Sequence, residues 1–186
     1  MKRILPALLI LLILFGCDTD TAHMDDALAL RNRLLDCSSC EFTATVSADY
    51  GSEIYSFKMH CKSTAGGNLT FEVLQPASIA GITGTLSGEG GKLTFDEHAL
   101  LFSLMAGDRI SPVSAPWIML RALRSGYIRS SGKDGDLTVI HIDDSYESDA
   151  LQLIFQLNND EVPLFAEIFY KDTRILTIIV ENFTTL

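Results

Sequence analysis

From Glu41 onward, Glu41-Phe42-Thr43-Ala44-Thr45-Val46-Ser47-Ala48-Asp49-Tyr50 and, past Gly51-Ser52, Tyr55-Ser56-Phe57-Lys58-Met59-His60-Cys61 set the chain to a period of two. Phe42, Ala44, Val46, Ala48 and Tyr50 alternate with polar residues, as do Tyr55, Phe57, Met59 and Cys61. Successive side chains of a strand point to opposite faces, so each segment can bury one face and wet the other. With Gly51-Ser52 as the turn, the pair reads as an antiparallel hairpin with one apolar face, in which Phe42 lies opposite Cys61 and Cys40 is a diagonal neighbour.

The same alternation continues outward. Strand-like runs are readable at Asn68 to Leu74, Ile79 to Ser87, Lys92 to Phe95 and Ala99 to Leu104, punctuated by Gly66-Gly67, Pro76 and Gly88 to Gly91. After Pro112 to Pro116, the run Trp117 to Arg124 reads as a helix with Pro116 in its first turn and Gly126 beyond its end. Tyr127 to Ser131, Leu137 to Ile142, Leu151 to Leu157, Pro163 to Lys171 and Ile175 to Phe183 are again strand-like. Ahead of the hairpin, Met24 to Asp36 reads as a helix with Met24, Ala27, Leu28, Leu34 and Leu35 on one face. Arg31 falls inside that stripe, where its stem can pack while its head reaches solvent. The predicted fold is mainly β, of the α+β class: a curved antiparallel sheet or open β-barrel of about eleven strands covered by two helices. So many antiparallel strands curl or close on themselves, and the two helices are the only cover for the apolar face.

The N-terminus states where the chain works. Lys2 and Arg3 precede an apolar run from Ile4 to Phe15, too short to span a bilayer, where about 20 residues are needed. Leu14-Phe15-Gly16-Cys17 closes it and resembles the bacterial lipoprotein signal, which implies cleavage after residue 16 and lipidation of Cys17. The division expected is a signal peptide over 1–16, a lipidated tether over 17–22 and one domain over 23–186. Asp18 after the cysteine resembles the signal that retains lipoproteins at the inner membrane, so the place implied is the outer face of the cytoplasmic membrane. Without Lys2 and Arg3, 24 acids face 12 basic residues, a net charge of −12. Nucleic acid is thereby an unfavoured partner, and membrane attachment falls to the lipid on Cys17.

Cys37, Cys40 and Cys61 remain in a compartment that permits disulfides. Cys37-Ser38-Ser39-Cys40 follows a helix and precedes a strand, unlike a thioredoxin-type redox pair, and no second pair completes four zinc ligands. A structural bridge or buried thiols is expected, with Cys61 the shared partner of any bridge. His23, His60, His98 and His141 are scattered, and neither a His-x-x-x-His spacing nor a Gly-x-Ser-x-Gly elbow occurs. Asp143, Asp144, Glu147 and Asp149 lack the ordered spacing and glycine of a calcium loop and read as a solvated turn. An enzyme, a bound metal and a cofactor are therefore not expected.

Arg109, Arg121, Arg124, Arg129 and Lys133 form a basic stretch without an acid in an otherwise acidic chain. Basic residues near the end of the second helix can complement its dipole. They can equally hold an anionic head group, since the arginine fork pairs with phosphate. On that second reading Trp117, Met119 and Leu120 contact the apolar part of a ligand, and Arg121 and Arg124 its anionic end.

The order helix, meander, proline-led helix, further strands resembles the LolA/LolB-like lipoprotein-carrier superfamily. Phe71-Glu72-Val73-Leu74-Gln75-Pro76 is similar to its strand leading to a proline, and Val162-Pro163 with Leu164 to Tyr170 to its late proline-led strand. The resemblance implies an open barrel with helices as a lid over a cavity for acyl chains, and hence non-covalent binding of a lipid or other apolar ligand. Similar folds serve spore-germination lipoproteins that regulate other proteins, so a protein-binding module of the cell envelope is the other function implied.

Overall fold

The computed structural model describes residues 21–51, 53–95, 98–106 and 109–186. Cys17, the apolar run before it and the first residues of the tether lie outside the described residues.

The hairpin forms in the register expected. Strands β1 (Ser39–Asp49) and β2 (Ile54–Thr64) pair antiparallel, with Phe42 opposite Cys61 and Cys40 opposite Ser63. Gly51 turns the chain at φ +81°, a conformation that L side chains seldom adopt. Strands β3 (Leu69–Gln75), β4 (Thr83–Ser87), β5 (Gly90–Phe95) and β6 (His98–Phe102) continue the meander in sequence order. The run expected as a strand from Ile79 begins only at Thr83. Ile79 N–H donates to Pro76 O and Ile82 N–H to Ile79 O, so residues 76–81 form turns, and Gly81 N–H then donates back to Val73 O of β3. A short separate hairpin, β7 (Met105–Ala106) with β8 (Arg109–Ile110), follows.

The second half runs β9 (Tyr127–Asp134), β10 (Leu137–Asp143), β11 (Gln152–Leu157), β12 (Pro163–Tyr170) and β13 (Thr173–Thr185), and β13 then pairs with β1. The result is one unclosed eleven-stranded sheet in the order β6-β5-β4-β3-β2-β1-β13-β12-β11-β10-β9. The chain leaves this sheet at one edge, β6, and re-enters at the other, β9. Helix α2 (Ala115–Ser125) lies within that connection, so it must cross the apolar face. Its burial on nearly every side follows from this crossing: only Arg121 and Ser125 are exposed.

Helix α1 (Thr21–Asp36) lies against α2, β9 and β10. Its buried positions are Ala27, Leu30, Leu34 and, just past its end, Cys37. Two residues of the expected stripe are corrected: Leu28 is 42 % and Leu35 57 % exposed, while Leu30, absent from that stripe, is buried. Helical periodicity permits either of two adjacent stripes here, and docking against β9 and α2 selects the one through Leu30.

Candidate functional site

The ends of the two helices meet. Arg31 of α1 donates from Nε to Leu123 O at 2.8 Å and from NH2 to Gly126 O at 2.7 Å. Arg124 of α2 donates from Nε to Leu34 O at 3.3 Å and from NH1 to Ser63 Oγ at 3.1 Å. The last carbonyls of a helix have no partner within it and carry the negative end of its dipole, so each guanidinium satisfies the other helix. The Arg31 head thus lies on α2 instead of in solvent, and burial lowers its pKa. Arg124 NH2 is buried without a hydrogen-bond partner.

The remaining predicted site residues are placed as follows. Arg121 reaches Asp144 Oδ2 at 2.5 Å and stacks 4.9 Å from the Trp117 ring centre. Trp117 is buried, its Nε1 donating to Gly67 O at 2.9 Å in the β2–β3 turn. Met119 and Leu120 are fully buried in the core beside α2. Arg129 pairs with Asp143 at 3.6 Å and Lys133 with Asp26 at 3.8 Å. Nothing is described of the Arg109 side chain. The acidic turn is solvated at Glu147 and Asp149, and Asp144 at its start accepts from Leu151 N–H at 2.8 Å. Among the described residues no three His, Cys, Asp or Glu side chains are grouped as a metal site.

Cys37, Cys40 and Cys61 are buried free thiols. Cys40 lies within electrostatic reach of both Cys37 and Cys61. Burial pushes Cys40 up to about 11, against a smaller opposing effect of Arg124, and raises Cys61 further.

A second apolar surface lies past the edge of α2, in residues that sequence reading did not select. The register carries the buried face of β3 across the β4–β6 end in rows: Leu69, Leu86, Gly91 and Phe102, then Phe71, Gly84, Leu93 and Leu100. Ile82, Leu93, Phe95 and Leu100 line an open groove of about 410 Å³ there. A larger recess of about 730 Å³ beside the β4–β5 turn is bordered by Asn68, Leu86, Gly91 and Phe102. Two glycines shape this surface. A Cβ on Gly84 would stand 2.5 Å from the Phe71 ring, and one on Gly91 2.2 Å from the Phe102 ring, so both rings lie across bare backbone. Trp117 touches Gly67, the neighbour of Asn68. Alternation alone could not mark these positions, because it assigns a face without telling where the cover ends.

An open sheet of eleven antiparallel strands with two helices on its apolar face is the architecture implied by the LolA/LolB-like resemblance. No family model matches the chain, and no curated protein matches it. Among solved structures it is similar to a LolA superfamily protein from Nitrosomonas europaea, at 9 % identity and TM-score 0.47 over 85 % of this chain and 92 % of that one. A DUF1329 family protein from Desulfovibrio piger has 10 % identity and TM-score 0.48, over 91 % and 94 % of the two chains. The lipoprotein LppX of Mycobacterium tuberculosis has 12 % identity and TM-score 0.43, over 87 % and 93 %.

Proposed function

We propose that the protein is an extracytoplasmic lipoprotein, anchored through Cys17 on the outer face of the cytoplasmic membrane, that holds a lipid chain or other apolar ligand non-covalently. The observation that carries this reading is the uncovered apolar groove at Ile82, Leu93, Phe95 and Leu100, continuous in register with the core. Apolar surface of this kind, left open in a chain of strong net charge, is where a binding surface is sought. It is a binding protein in this reading and not an enzyme. Arg121 and Arg124 hold helix α2 in place against Asp144 and Leu34 O, and Trp117, Met119 and Leu120 close the core beneath it.

The test is a calorimetric titration of residues 18–186 with a long-chain fatty acid and with the alcohol of equal length, below their micelle concentrations. Both ligands should bind saturably, and Leu100→Asp should weaken both. Titrations without saturation, or saturation indifferent to Leu100→Asp, would remove the reading. The protein-interaction alternative is favoured by one observation, the exposure of Leu101 at 78 % on the opposite face of β6.

A further inference from the structure

Helix α1 buries one apolar stripe and presents another. Ala27, Leu30 and Leu34 pack inward, while Leu28 and Leu35, two turns apart on one line of the helix, are 42 % and 57 % exposed. Arg31 lies between them, and its guanidinium donates to Gly126 O at 2.7 Å, so the stripe continues onto the start of β9. There Tyr127, 49 % exposed, packs against Tyr146, 87 % exposed, with ring centres 5.2 Å apart, and the Tyr146 hydroxyl lies within electrostatic reach of Arg31. Two leucines and two tyrosines thus surround one guanidinium at the surface. None of the four belongs to the buried core, so folding does not account for their grouping. Exposed apolar side chains gathered in this way mark a contact surface.

We propose that this face rests on the bilayer: Leu28 and Leu35 enter the head-group region, Tyr127 and Tyr146 sit at its level, and α1 lies along the membrane plane. The proposal depends on the reading of Cys17 as the lipid-bearing residue. The occupant follows from where the chain is tied. Thr21, the first residue of α1, can stand at most about 14 Å from Cys17 along the extended chain, which keeps the helix beside the membrane that holds the lipid. Leu35 lies about 21 Å along the helix axis from Thr21, beyond the reach of that tether, so the tether cannot cover it. Leucines on one side of a surface helix enter the boundary between head groups and acyl chains, and tyrosines gather at the same depth. Asp25 and Asp36 fall roughly a quarter-turn round the helix from the two leucines, and Glu147 follows Tyr146; all three are exposed and suit the ammonium ends of zwitterionic head groups. A doubly acylated cysteine already gives stable attachment, so the patch sets the orientation of the domain and not its affinity for the membrane.

The test uses the full lipidated chain in phosphatidylcholine vesicles whose acyl chains carry bromine near the head groups, which quenches a tryptophan that enters the bilayer. Leu35→Trp should lose most of its added emission relative to vesicles without bromine. Ile179→Trp, between the buried Ile178 and Val180 and therefore on the opposite face of the sheet, should lose none. Leu28→Ser with Tyr146→Ser, made in the Leu35→Trp chain, should reduce the quenching and leave the melting temperature unchanged. Flotation with the vesicles reads the anchor separately. A chain that floats without quenching at position 35, with equal quenching at positions 35 and 179, or with quenching indifferent to the serine pair overturns the docking face and leaves the lipoprotein reading standing; a chain that carries no lipid and does not float overturns both.

Discussion

Arg31 and Arg124 cap each other's helices: Arg31 of α1 holds Leu123 O and Gly126 O at the end of α2, and Arg124 of α2 holds Leu34 O at the end of α1. The exchange locks the two helices together by hydrogen bonds as well as by packing.

Arg31→Ala should therefore destabilise the protein by about 1.5 to 3 kcal/mol, the range for hydrogen bonds to a charged group, read as a lower urea midpoint at constant slope. Arg31→Lys should recover little, because an ammonium cannot reproduce the fork that spans two carbonyls. A double-mutant cycle with Arg124→Ala should show coupling, since each change loosens the helix that the other arginine grips.

Arg121→Ala should behave otherwise. Its pair with Asp144 is half-exposed on the arginine side, and such a pair contributes at most about 1 kcal/mol. The same denaturation should show a loss for Arg124→Ala clearly larger than for Arg121→Ala. Equal losses would contradict the capping role assigned to Arg124.

The buried thiols predict a pH effect. Cys40 is raised to about 11 by burial, so above the ordinary thiol range the unfolded chain releases its proton before the folded one does. Stability contributed by the neutral Cys40 is whole below pH about 9 and falls as pH rises toward 11, with Cys61 acting in the same direction. Melting temperatures between pH 7 and 10.5 should decline less in Cys40→Ala than in the wild type, each relative to its own value at pH 7.

Gly84→Ala should cost about 1 to 3 kcal/mol by overpacking, because the new Cβ meets Lys92 O at 2.5 Å as well as the Phe71 ring. The nearest atoms to a Cβ at Gly91 belong to the Phe102 ring, on an edge strand where the ring can move. Thermal melts should show the larger loss for Gly84→Ala, while Gly91→Ala should act mainly on ligand affinity.

Cys17→Ala should abolish incorporation of a tagged fatty acid into the protein. Undiminished labelling would end the lipoprotein reading.

The period-two pattern around Phe42 and Cys61 determined the β class, the hairpin register and nearly all the strands, because alternation is a local consequence of strand geometry that each residue carries with it. Proline and glycine placed α2 for the same reason: the limits they set on the backbone act within one turn. What the tertiary structure alone decided is which of two helical stripes on α1 is buried, that Arg31 and Arg124 exchange caps, and where the apolar face goes uncovered. These depend on what lies opposite: Leu28 and Leu30 are equally apolar in sequence, and only the approach of β9 and α2 separates an exposed leucine from a buried one.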